Sequence, residues 1–325
     1  MCVPKIQRIG EGMLLEFKGR RYAIDKISGL RADYHIISHA HMDHIPRKLC
    51  GKPILSKETA SLAQKRGLSD VEKYVEDSEH VELLEAGHIL GSRSALIEDE
   101  ILYTGDINIR DRLFLRGFKP IKARYLLMEA TYGQPSYVFD DFGETVQRSM
   151  EYALSILSMG RRVVLLGYAL GKSQILTELF GWYDKLIVHD SIHKFNTLYK
   201  SQGVNLKTDY AIYSEAENLE KDTWMLLSPY RGHLINRLTK RFDAVKIEFT
   251  GWATHPSYAF WGRAERGFSL SDHADFQDLM NIVKKVDPEK IFLAYGFINE
   301  FTRYLKNLGY DAQALESKQR LISDF

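Results

Sequence analysis

Thiols are nearly missing from this chain: Cys2 and Cys50 are the only cysteines in 325 residues. Two are too few for a disulfide framework and suit a reducing, cytoplasmic setting. Charges interrupt every apolar run before it reaches the roughly 18 residues of a membrane span. The N-terminus does not read as a signal peptide. An excess of one charge is absent too, since 44 Lys and Arg against 43 Asp and Glu leave a formal +1. Affinity for a polyanion must therefore come from local patches or bound cations. No internal repeat or low-complexity segment is evident, and 45% hydrophobic content can fill one large domain or two smaller ones.

What the chain does have is a dense run of ligands. His39-Ala40-His41-Met42-Asp43-His44 places four potential metal ligands in six residues, directly after the strand-like Tyr34–Ser38. Alternation beyond a strand end sends His39 and His41 to one side, while Asp43 and His44 come from the following turn. Imidazole and carboxylate at this density suit a pair of neighbouring zinc or manganese ions, and such a pair usually serves hydrolysis. A second site is His88, set between Gly87 and Gly91 after the apolar Val81–Leu84. A third is Asp106, which ends the strand Ile101–Tyr103 after Thr104-Gly105 and can bridge two cations. Asp25 ends Arg21–Ile24 and is positioned to orient a ligand histidine or an attacking water. Glu129 ends the apolar Tyr125–Met128. Downstream, Ser271-Asp272-His273-Ala274-Asp275-Phe276 delivers His273 just before the helical pattern of Phe276, Leu279, Met280 and Ile282. Asp272 and Asp275 compete with it as ligands, or cap that helix. Each residue alone also has a plain turn or surface reading; their combination is what points to a metal centre.

Strands at Met13–Phe17, Tyr22–Asp25, Val81–Leu84, Ser94–Ile97 and Ile101–Tyr103, with a helix near Thr59–Lys65, predict an α/β layered core. After Gly133 a helix is predicted over Glu144–Met159, a buried strand over Arg162–Leu166, and further strands at Leu186–Val188, Ala211–Tyr213 and Trp224–Leu227. Such a βα array between two halves of a metal site reads as an inserted cap. Gly167-Tyr168-Ala169-Leu170-Gly171-Lys172-Ser173 imitates a nucleotide-binding loop but has three residues between its glycines where that motif has four. Its better use is to present the Gly171 amide and Lys172 to a polynucleotide phosphate at a helix start. Tyr230 and Arg231 are further substrate candidates, as is Arg110 just beyond Asp106. Trp252 reads as core or as a base platform.

In order and content, Asp25, the His39–His44 run, His88 and Asp106 resemble the metal motifs of the metallo-β-lactamase fold. Glu129-Ala130-Thr131-Tyr132-Gly133 and the Ser271–Phe276 segment resemble what its β-CASP nuclease branch adds, in particular the small bacterial and archaeal ligase-associated exonuclease type. The resemblance implies a four-layer αββα metallo-β-lactamase fold with an inserted β-CASP α/β cap. It divides the chain into 1–132, the cap 133–265, and a second part 266–325. It also implies two ions, zinc first and manganese second. His39, His41 and His88 would hold one ion, Asp43, His44 and His273 the other, with Asp106 between them. Asp25, Asp43, Asp106, Glu129 and Tyr295 are the expected catalytic set. Tyr295 stands where many members place a histidine, and a tyrosine with a pKa near ~10 is a poor proton donor unless shifted; a core or rim tyrosine is the competing reading.

The activity implied is metal-assisted phosphodiester hydrolysis, with DNA favoured as an exonuclease substrate in repair or end processing. RNA processing by an endo- or exoribonuclease is the alternative, and DNA ligase or helicase partners follow by the same resemblance. A thioester or lactam hydrolase could use a similar centre. So could a nucleic-acid-binding protein with a structural metal, in which every coordination position would come from protein.

Overall fold

The structure is a computed structural model and describes residues 3–216, 219–220, 222–230, 233–261 and 264–317. The chain forms two compact units, one of Met1–Asp111, Leu115–Gln134 and Phe276–Phe325, the other of Arg112–Phe114 and Pro135–Asp275.

The first unit opens with β1 (Lys5–Ile9), β2 (Gly12–Phe17) and β3 (Arg20–Ile24), an antiparallel meander, to which β4 (Tyr34–Ile36) and β5 (Lys52–Ile54) add in parallel. Helix α1 (Lys57–Lys65) begins where Ser56 Oγ accepts from the Thr59 amide at 3.1 Å. Then come β6 (Val81–Glu85), β7 (Arg93–Ile97), β8 (Ile101–Tyr103) and β9 (Tyr125–Ala130).

The chain next builds the second unit: α2 (Phe142–Ser158), β10 (Val163–Leu166), α3 (Lys172–Phe180), β11 (Leu186–Val188), α4 (Asp190–Ser201), β12 (Ala211–Ile212), β13 (Met225–Ser228), α5 (His233–Phe242), β14 (Val245–Phe249) and β15 (Arg266–Phe268). Its sheet has the order β12-β11-β13-β10-β14-β15, parallel throughout. Strands of such a sheet are covered on both faces, which explains their continuous Val, Leu and Ile content. Ile235, Leu238 and Phe242 of α5 pack with Val164, Leu166 and Leu226. Leu166 pairs with Glu248, so Phe249 points the other way. Phe180 of α3 meets Phe249 at 5.8 Å, and α3 and α5 therefore cover opposite faces.

Return to the first unit comes with α6 (Phe276–Val286), β16 (Lys290–Gly296), α7 (Ile298–Asn307) and β17 (Ala312–Ala314), which complete a sheet of order β17-β16-β9-β8-β7-β6. Alternate residues Tyr125, Leu127, Phe292 and Ala294 join Met13, Leu15, Tyr22, Ile24 and Ile36 in one core cluster, so the two sheets of this unit share an interior. The sequence predicts a return at 266. The structure keeps 266–275 with the second unit, because Arg266 pairs with Ile247 and Phe268 with Phe249.

Candidate metal centre

Beyond β4 the chain turns back on itself, with the His44 and Ile45 amides donating to His41 O at 3.0 and 3.1 Å. His39 Nε2 lies 3.1 Å from His41 Nδ1, and His88 Nε2 lies 3.0 Å from the same atom. Asp106 Oδ2 is 3.5 Å from His39 Nε2 and 3.6 Å from His88 Nε2. A ring nitrogen has one proton or one lone pair, enough for one of its two imidazole neighbours. A cation satisfies all of them: donors at zinc distances of about 2.0–2.1 Å on a tetrahedron stand about 3.4 Å apart. The three rings meet nearly at right angles, 78° to 85°, with centroids 4.7 to 4.9 Å apart. One donor atom from each of these four residues lies within 4.8 Å of the others. The residues therefore fit a divalent ion.

Two glycines make the approach possible. A Cβ on Gly87, whose φ is +72°, would stand 2.3 Å from Asn108 O; one on Gly105, φ +59°, would stand 2.8 Å from the Ser38 Cβ. Backbone without side chains lets the His88 and Asp106 loops close on the β4 end.

Asp25 is fully buried at the end of β3 with φ +53°, a strained conformation for a residue other than glycine. Its Oδ1 accepts from the Ser38 amide at 2.7 Å, and its Oδ2 meets Ser38 Oγ at 3.0 Å, His44 Nδ1 at 2.7 Å and the Tyr103 hydroxyl. Ser38 Oγ also lies 3.0 Å from His39 Nδ1. One carboxylate thus fixes His44 directly and His39 through a serine. Ser38 and Tyr103 were missed in the sequence, where nothing about their spacing marks them. Burial opposes charge on His44, yet Asp106 and Asp25 outweigh it and raise its pKa to about 10. Burial and then Asp25 push the Tyr103 phenol well up.

His44 Nε2 lies 3.5 Å from Asp106 Oδ2 and 4.0 Å from Asp43 Oδ2. Glu129 is buried, and its Oε1 accepts from the Ile107 amide at 2.7 Å, which anchors the backbone next to Asp106. Tyr295 has φ +67° and interrupts the β9–β16 register. Its ring sits 5.4 Å from that of His44, with the Arg8 guanidinium 4.8 Å from its centroid. Its hydroxyl donates to Glu11 O at 2.5 Å. Burial, then Asp25 and Asp106, raise its pKa well above the ordinary value. The ring therefore lies beside His44 while its hydroxyl is held by a backbone carbonyl.

The expected substrate contacts fare differently. Arg110 Nε pairs with Asp278 Oδ2 at 3.1 Å. Lys172 is not on a surface track: it is buried inside the second unit, with Nζ 2.5 Å from Leu270 O and 3.2 Å from Asp272 Oδ1. Arg112, also buried, donates to Ser271 O at 3.0 Å and Asp272 Oδ1 at 2.9 Å. Burial lowers the Lys172 pKa to about 8 against the pull of Asp272. The Gly171 amide is likewise engaged, donating to Gln174 Oε1 at 2.7 Å. The Tyr230 hydroxyl donates to Phe249 O at 2.6 Å, and Arg231 lies outside the described residues. His273 belongs to the second unit, shortly before the chain re-enters the first at Phe276, and its amide donates to Ser271 Oγ at 3.0 Å.

No family model matches the chain. It is 29% identical over 307 residues to a protein of Opitutus terrae named "Probable DNA ligase", covering 88% of this chain and 29% of that one. It is 30% identical over 185 residues to an "RNase J-like protein" of Methanocaldococcus jannaschii, covering 46% of this chain and 44% of that one. The chain thus spans less than half the length of either relative. A solved structure of a protein of unknown function from Enterococcus faecalis superposes with a TM-score of 0.60 over 98% of both chains at 14% identity, so the two share a fold. Both relatives are named for enzymes of nucleic-acid metabolism, and no helix among the described residues is long and apolar enough to cross a membrane.

Proposed function

We propose that the chain is a two-metal nuclease, a β-CASP member of the metallo-β-lactamase fold whose second unit is the inserted cap, and that it hydrolyses phosphodiester bonds in DNA. The observation that carries this reading is the spacing of His39, His41, His88 and Asp106, which suits one tetrahedral ion. His44 and Asp43, with His273 as the resemblance implies, would hold a second ion, and Asp106 would bridge the two. A set rich in imidazole favours zinc, with manganese as the alternative. When bound, such a pair supplies Lewis acidity toward a phosphate and brings the pKa of water toward neutrality. Asp25 takes the His44 Nδ1 proton in a hydrogen bond, which leaves Nε2 as the ligand atom. Glu129 holds the loop that carries Asp106.

DNA is preferred because a region like this chain lies within a protein named for DNA ligation. The RNase J-like relative favours RNA, over a shorter match. The test is cleavage of end-labelled single- and double-stranded DNA and RNA by the zinc- and manganese-reconstituted protein, with a chelated control. Metal-dependent cleavage of single-stranded or end-bearing DNA is expected. No metal-dependent cleavage of any of the four substrates would sink the nuclease reading, and cleavage of RNA alone would replace DNA with RNA.

A further inference from the structure

The second unit carries a feature that the metal centre does not use. Its strands are all parallel, so their carboxyl ends lie along one edge. Within three residues of five of those ends stands an aromatic ring: Tyr168 after β10, His189 after β11, Tyr213 after β12, Tyr230 after β13 and Trp252 after β14. Four of the five rings pair with one another. Tyr168 and Tyr230 meet at 4.8 Å with 70° between planes, and His189 stacks on Tyr213 at 6.4 Å and 9°. Tyr230 is fixed by its bond to Phe249 O, whereas Tyr168, resting against it, leaves 61% of its surface to solvent.

The position strengthens the chemistry. β10 and β13 are neighbours in the sheet, and the helices that follow them, α3 and α5, cover opposite faces. Open α/β sheets bind ligands outside the carboxyl ends of their strands at such a divergence. An exposed ring held edge-to-face against a fixed ring, at this place, is a surface suited to stacking.

We infer that this edge is a platform for unpaired nucleobases with Tyr168 as its open face, so that substrate is taken up as a single strand. This rests on the reading above that the substrate is a nucleic acid. Every base has a π face, which makes stacking tolerant of sequence, but a base within a duplex has its faces already covered. The phenol hydroxyl of Tyr168 plays no part in such a contact; the ring does.

The experiment is fluorescence anisotropy of the metal-reconstituted protein with two single strands of equal length. Both carry phosphorothioate linkages that resist cleavage; one is oligothymidylate, the other a strand of abasic tetrahydrofuran units. Tyr168→Ala is expected to weaken oligothymidylate binding about five- to a hundredfold and to leave the abasic strand unchanged. Tyr168→Phe is expected to bind both as wild type does. Equal loss on both strands, or no loss on either, overturns the platform while the nucleic-acid reading stands. Wild-type protein that binds neither strand overturns the nucleic-acid reading and the platform with it.

Discussion

In the first unit, His39, His41, His88 and Asp106 turn donor atoms toward one another at 3.0 to 3.6 Å. In the second, the buried Lys172 and Arg112 turn toward Asp272 and the carbonyls of Leu270 and Ser271. The second set holds two buried cations beside one carboxylate and two backbone acceptors. The first set is one carboxylate among three imidazoles, a group that could hold a metal ion. The two buried polar groups thus differ in kind: one could hold a metal ion, the other ties the segment leading to His273 to Lys172 and Arg112.

Asp106→Asn strikes hardest at that distinction. An uncharged amide is a weaker bridge and cannot compensate two cations equally, so turnover is expected to fall about 10²-fold or more and metal content to drop, read by single-turnover cleavage and by metal analysis of the purified protein. Full occupancy with normal turnover would remove Asp106 from the bridge. Next in size is Asp25→Asn, which cannot accept from Ser38, His44 and Tyr103 together. Metal affinity is expected to fall about 10- to 100-fold in a chelator competition; unchanged affinity would mean that Ser38 and His44 keep their geometry without the carboxylate.

Lys172→Met tests the other half of the comparison. Metal affinity at the His39 site should be unaffected. Arg112 stays on Asp272, so the loss of stability is expected near about 1–3 kcal/mol, measured by urea unfolding. The pH dependence has a definite sign. Burial places the folded-state pKa of Lys172 at about 8, below its ordinary 10.5. Below about 8 both states hold the proton and the cost of burying the charge is complete. As pH rises from about 8 toward 10.5 the folded state sheds its proton first, and wild type should gain stability relative to Lys172→Met. A difference that stays flat over this window would show that the lysine is not held in the way described. The smallest effect is expected from Tyr295→Phe: about 0.5–1.5 kcal/mol from the lost bond to Glu11, and unchanged single-turnover cleavage across pH. A clear fall in the chemical step would return the hydroxyl to the reacting groups.

The histidine run was legible because four ligands within six residues have few other uses, and the structure brings His39 and His41 together with His88 and Asp106. Asp25 was legible as a carboxylate at a strand end. Ser38 and Tyr103 were not, since a hydroxyl declares no partner until the β3 and β8 ends meet. Lys172 misled for a related reason. Its neighbours Gly171 and Ser173 look like an open helix start, while the groups that bury it, Leu270 and Asp272, lie about a hundred residues away. Among strands, the sequence pointed to the apolar runs Tyr125–Met128 and Arg162–Leu166, and the structure forms β9 and β10 there. β1 escaped notice because its residues are exposed or half-buried, as an edge strand permits.

The pairing of β9 with β16 sets Tyr125 against Lys290 in the middle of a sheet. On a translating ribosome every strand of the second unit emerges between those two partners, and that unit can close on itself at once. The first unit waits. Until Lys290–Gly296 appears, β9 is an open edge with an unused hydrogen-bonding ladder. Vectorial synthesis thus leaves a nascent chain whose middle segment can fold ahead of the unit that flanks it on both sides, and the long-range closure of β9 on β16 is the step at which that chain is most exposed to mispairing.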